Sequence, residues 1–182
     1  MKGRWPLVLS ALSLGLALLA RHFVFGLVTV QTGSMEPAVE EGSTLLFSRL
    51  AEPQLGDIVA VQLPDDPQFL HVKRIVAIGP GEVELVDGRL YVDGQRVAGE
   101  ETLLRWTDAG CGAKSVAGVT ERGVVVERSG DHERTQLFEG EVFLLGDRRA
   151  VSEDSRQWGP VRRELVVGVV QRVAWGASAC DS

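Results

Sequence analysis

The amino-acid sequence predicts a mainly β protein, a β-rich body behind one apolar N-terminal helix. Beyond residue 31, helical periodicity gives way to short apolar runs separated by turn residues, the pattern of packed strands. Two Asp-Gly pairs, Asp87-Gly88 and Asp93-Gly94, fall where a two-residue hairpin needs positive φ. Leu7 to Ala20, LVLSALSLGLALLA, carries no charge at all. At 182 residues and 45% apolar, the chain is long enough for one good-sized domain, or for a core with a small insert.

Fourteen helical residues span about 21 Å against a hydrocarbon core of roughly 30 Å, a length that suits a cleaved leader as well as an anchor. Two details favour a retained anchor. The small-residue pair required for cleavage before Arg21 would be Leu18 and Ala20, and leucine fits poorly. Trp5 at one interface and a snorkelling Arg21 at the other extend the span, from about residue 5 into a second apolar stretch, Phe23 to Val30. Leucine on every face argues against a soluble core helix. Residues 1–30 are thus an expected membrane anchor, with the lipid bilayer as partner. Lys2 and Arg4 place the N-terminus in the cytoplasm, so the expected localisation is single-pass in the cytoplasmic (inner) membrane, body on the extracytoplasmic side.

The expected strands follow in order: TLLFSR at 44–49, DIVAVQL at 57–63, LHVKRIVAI at 70–78, EVELV at 82–86 and RLYV at 89–92. Asp93-Gly94 repeats the hairpin signal. Later strands are expected at 123–128, 141–145 and 165–175. Between them, roughly 95–140 is richer in Gly, Thr and charge and reads as an inserted lobe.

Charge and cysteine usage exclude several functions. The chain has 19 basic and 25 acidic side chains, a net −6, and no block of like charge, so nucleic acid is excluded as a partner. Residues 1–30 hold Lys2, Arg4 and Arg21 and no acid, leaving 16 basic against 25 acidic in the body. Cys111 and Cys180 show no CxxC spacing and His22, His71 and His132 are scattered, so no metal site is expected.

Three groups of residues could do chemistry. Ser34, in Gln31-Thr32-Gly33-Ser34-Met35-Glu36-Pro37, is accessible between a glycine and a stiffening proline. Lys73 lies in a strand where period-two alternation sets it beside Phe69, His71, Ile75 and Ala77, and sets Arg74 with Leu70, Val72, Val76 and Ile78. The two cations cannot both face water. A lysine among apolar neighbours loses proton affinity and can serve as a general base, so Ser34 with Lys73 would be a serine–lysine dyad. The competing chemistry is a triad with His71 or His132 as base. The third group is the turn and loop GDRRAVSEDSRQWGPV at 146–161, where Asp154 and Arg156 are close enough to pair and Ser152 could orient a neutral amine.

Together these pieces resemble type I signal peptidases, the membrane-anchored serine–lysine endopeptidases of the leader peptidase family. TGSMEP at 32–37 is similar to that family's S-G-S-M-x-P, LGDIVAV at 55–61 to its G-D-I-V strand, and HVKRIVAIGPGE at 71–82 to its lysine box. Residues 146–161 are similar to its G-D-N-R-x-x-S-x-D-S-R-x-x-G motif. The resemblance implies Ser34 as nucleophile, Lys73 as general base, and Thr32 with the Ser34 backbone N–H as oxyanion hole. It implies that Ser152 holds the Lys73 amine, that Asp147, Asp154 and Arg156 fix the loop carrying Ser152, and that Met35 and Pro37 shape the substrate groove. The implied fold is a β-rich catalytic core over 31–82 and 141–176, an inserted lobe over 83–140 and a tail at 177–182. The implied substrates are signal-peptide-bearing preproteins with small residues before the cut, and no cofactor or metal is implied.

Arg148 stands where the family usually has Asn, and Ala150-Val151 replace a polar pair. Two other readings stay open on the residues alone. One is a dedicated peptidase with the same dyad, for conjugation, pilin processing or the mitochondrial inner membrane. The other is a non-catalytic, membrane-anchored β-domain that binds envelope proteins.

Overall fold

A computed structural model describes residues 24–86, 88–97 and 132–176, together with Ser10, Ser13 and Gly15. Eleven strands are present among the described residues, in two antiparallel sheets. They are β1 (Phe25–Thr29), β2 (Thr44–Ser48), β3 (Ile58–Leu63), β4 (Asp66–Ile78), β5 (Gly81–Val86), β6 (Arg89–Val92), β7 (Gln95–Arg96), β8 (His132–Leu137), β9 (Glu141–Leu145), β10 (Val161–Arg162) and β11 (Val166–Trp175). One helical turn, α1 (Ser155–Trp158), and two 3-10 turns, Gly33–Met35 and Arg163–Leu165, complete them. The larger sheet runs β1-β2-β11-β3-β4-β9-β10 and the smaller β7-β6-β5-β8.

The mainly β expectation holds, and the hairpin chemistry is visible in the backbone. Asp93 (φ 51°) and Gly94 (φ 71°) both lie in the left-handed region, as a two-residue turn between Val92 and Gln95 requires. β8 was not anticipated from the sequence, because HERTQL is polar on both faces and its pairing with β5 supplies the order. The expected strand at 123–128 and the tail at 177–182 lie outside the described residues.

One expectation is corrected at the N-terminal end. The helix does not continue through residues 23–30, because Phe25–Thr29 is strand β1, paired in register with β2 from Phe25↔Ser48 to Thr29↔Thr44. Phe25 and Leu27 are exposed and Val28 is buried, so this apolar run is period-two and not helical. Gly26 lies against the Phe47 ring, where any Cβ would collide, which fixes the strand's depth. Leu7–Ala20 lies outside the described residues apart from Ser10, Ser13 and Gly15. Among the described residues no helix is long and apolar enough to cross a membrane.

Three apolar clusters form the core. One joins Val28, Val30, Leu45, Phe47, Ala60 and Val72. A second gathers Val59, Val61, Ile75, Leu144 and Val161, with Trp158 partly buried against it. The third links the sheets, Val76, Ala77, Phe143 and Leu145 meeting Val83, Leu85, Leu90 and Leu137. The register of β4 against β9 shifts between Ile75 and Ala77, a bulge that leaves Val76 as the extra residue. Simple alternation therefore fails there: Ala77 does not share the surroundings of Lys73 and Ile75, but joins Val76 in the third cluster.

Candidate active site

Four neighbouring segments build the site. β1 delivers the chain to Thr32, extended at φ −140° and ψ 151°, and then to the tight 3-10 turn Gly33–Met35 that presents Ser34. β4 supplies Lys73, opposite Val59 of β3. β9 ends at Gly146, and the loop that follows carries Asp147 to Asp154 into α1.

Lys73 Nζ lies 3.0 Å from Ser34 Oγ, and the two residues are 4% and 5% exposed. The Thr32 hydroxyl donates to the same Ser34 Oγ at 3.2 Å. Burial pushes the Lys73 ammonium below its usual range, the desolvation outweighing the opposing pull of the Asp154, Glu153 and Asp147 carboxylates, while Arg156 adds repulsion in the same direction as burial. The neighbouring cation is held differently. Arg74 forms a two-pronged pair with Asp147, Nε to Oδ1 at 2.7 Å and Nη2 to Oδ2 at 2.6 Å, and donates to the Gly56 carbonyl at 2.8 Å. Both basic side chains of the Lys-Arg step are thus buried, one matched by a carboxylate and one set against a hydroxyl.

Asp154 and Arg156 organise the loop. The fully buried Asp154 carboxylate accepts from Arg156 Nε at 2.8 Å, Arg156 Nη2 at 3.0 Å and the Gly146 N–H at 3.0 Å. It also caps α1, while Gln157 accepts from the Asp154 N–H, closing a capping box. Arg156 reaches back to the carbonyls of Arg149 and Ser152, and the Ser155 hydroxyl accepts from the Leu144 N–H. The Arg148 N–H donates to the Ser34 carbonyl at 3.0 Å, stitching the loop to the serine turn.

Other expected site residues are placed differently. Ser152 is buried and, among the described residues, its hydroxyl has no hydrogen-bond partner; the bond of the Lys73 amine runs to Ser34. Met35 is fully buried in the first core cluster with Val39, and Pro37 is exposed. His71 pairs with Asp66, Nε2 to Oδ2 at 3.1 Å, and not with Ser34. His132 opens β8 in the smaller sheet.

Sequence reasoning missed two contributors. Gly146 is fixed by close approach: a Cβ there would overlap the Ser152 hydroxyl and come within 2.7 Å of the Ser34 carbonyl oxygen. Gly146→Ala is expected to cost about 1–3 kcal/mol through overpacking, measurable as a lower melting temperature. The other is the pair of Glu36 with Arg148, 2.8 Å apart, whose arginine was noted only as a departure from the family pattern. Gly146 opens the quoted Gly-Asp motif, but the reason it must be glycine, like the Glu36–Arg148 pair, lies in contacts between the serine turn and a loop more than a hundred residues away.

The family profile described as signal peptidase, peptidase S26, matches residues 4–175. The chain is 31% identical over 175 residues to signal peptidase I V of Bacillus subtilis, covering 93% of this chain and 98% of that one. It is 32% identical over 159 residues to signal peptidase I T of the same species, covering 84% and 75%. A solved signal peptidase I from Enterococcus faecalis aligns at 26% identity and a TM-score of 0.47, covering 65% of this chain and 97% of that one. The protein therefore belongs to the signal peptidase family, peptidase S26, and is a serine endopeptidase.

Proposed function

We propose that this protein removes N-terminal signal peptides from exported preproteins, with Ser34 as nucleophile and Lys73 as general base. The observation that carries this reading is the 3.0 Å contact between two buried groups, Lys73 Nζ and Ser34 Oγ. At that distance the hydroxyl can donate to a neutral amine, and burial favours the neutral amine.

The steps follow from that pair. As Oγ bonds to the scissile carbonyl carbon, its proton passes to Nζ; the C–N bond then breaks and the new ammonium returns the proton to the leaving amine. Water hydrolyses the resulting ester, with Lys73 again taking and returning a proton. The Thr32 hydroxyl, already beside Oγ, and the Ser34 N–H are the proposed donors to the oxyanion. The buried, unpartnered Ser152 hydroxyl is suited to accept from the ammonium as it forms. Asp147, Asp154 and Arg156 hold the loop, and Pro37 borders the serine turn. The apolar segment 7–20 is proposed to anchor the chain, with the body outside the cytoplasm where the ends of translocated signal peptides lie.

The test is cleavage of a purified preprotein in detergent as a function of pH. Because the folded protein lowers the lysine's proton affinity, the neutral base is lost as pH falls through the Lys73 value. Activity is expected to rise along a limb lying below the ordinary lysine value of about 10.4. A flat profile between about pH 5 and pH 9 would overturn the lysine base.

A further inference from the structure

We infer that Trp158 is a positioning residue for Lys73, its indole roofing the amine, and that the His71–Asp66 pair holds the indole in place. Lys73 Nζ lies 5.9 Å from the centroid of the Trp158 ring, within range of its face. The imidazole of His71 meets the same indole edge-on, centroids 5.2 Å apart and planes at 66°. On its far side His71 Nε2 is 3.1 Å from Asp66 Oδ2. Four side chains thus stand in series, three from β4 and one from the end of α1. Trp158 is only partly buried and Lys73 is 4% exposed, so the indole is the cover on that side of the amine.

The chemistry of the amine gives the cover its value. Among the described residues, the charged groups that act on Nζ are Asp147, Glu153 and Asp154 on the loop and Arg156 in α1, and the titratable His71 lies on its own strand; β3 presents Val59, and Glu36 on the serine turn is engaged with Arg148. The three carboxylates favour the ammonium, so exclusion of water is what lowers the amine's proton affinity. The indole keeps water from the amine, and this desolvation outweighs the weaker attraction of the ring face for the ammonium, so the net effect of the roof is to lower the proton affinity of Lys73.

The test is direct titration of Lys73 in the full-length protein, in detergent, with the lysine ε-carbons labelled with carbon-13 and read by NMR. The chain has only three lysines, Lys2, Lys73 and Lys114, so Lys73→Ala assigns the resonance. Trp158→Ala is expected to raise the Lys73 midpoint by about one pH unit, and Trp158→Phe by less than half as much. His71→Ala is expected to shift it in the same direction. Should Trp158→Ala not fold, Trp158→Leu replaces it with the same expected direction. A midpoint unmoved or lowered, or moved equally by Phe and Ala, overturns the roof; no change in His71→Ala overturns the support. The catalytic consequence rests on Lys73 being the general base, and is read separately: the acid limb of kcat/KM should follow the midpoint. A midpoint that moves while the limb stays put would sink the general-base reading and leave the positioning role intact.

Discussion

Ser34→Ala and Lys73→Ala are each expected to lower kcat/KM for preprotein cleavage by about 10³–10⁶, with the folded body retained. The two losses should be about equal and should not add in the double variant, because the proposed nucleophile and base would act as one unit across a single 3.0 Å contact. A Lys73→Met variant supplies the folding control and carries its own sign. Wild-type Lys73 binds its proton less readily in the folded than in the unfolded chain, so its burial penalty is full below the folded value and vanishes above about 10.4. Lys73→Met should therefore gain melting temperature relative to wild type at acid pH, and the gain should shrink as pH rises. Substantial cleavage by either alanine variant would remove the dyad.

Asp154→Ala is expected to cost about 3–5 kcal/mol, roughly 6–20 °C in melting temperature, although its carboxylate hydrogen-bonds to neither Ser34 nor Lys73. Its carboxylate is completely buried, and it takes hydrogen bonds from Arg156 and from the Gly146 N–H. Alanine would leave a buried guanidinium without its carboxylate and a buried N–H without its acceptor. Asp154→Asn, which keeps much of the shape but not the charge, separates architecture from electrostatics. Asp154 is the carboxylate that most favours the Lys73 ammonium, so neutralising it should move the acid limb of activity to lower pH. A loss below about 1 kcal/mol in the alanine variant would show that the loop is held by other contacts.

TLLFS, IVAVQL and EVFLL were legible because each alternates or runs apolar between turn residues, and the Asp93-Gly94 hairpin because few residue pairs tolerate its backbone. Phe25–Thr29 was misassigned to the anchor, since an apolar pentapeptide next to an apolar helix carries no signal of its own. Its partner, β2, decides the matter by offering backbone groups that only a strand can satisfy. Period-two logic assigned neighbours to Lys73 correctly as far as Ile75 and failed at Ala77, where a bulge shifts the register.

The sequence by itself determined the β class, the residue types of the dyad and the loop that faces it, because spacing, turn chemistry and the resemblance of four ordered motifs are properties of the chain. Tertiary structure alone decided the environment of each group. It set Lys73 against Ser34 and Arg74 against Asp147, turned Met35 into the core, required Gly146 to lack a side chain, and brought Trp158 over an amine 85 residues earlier. The physical reason is that burial, contact distance and proton affinity depend on which strands become neighbours, and sheet pairing brings together residues that the sequence keeps far apart.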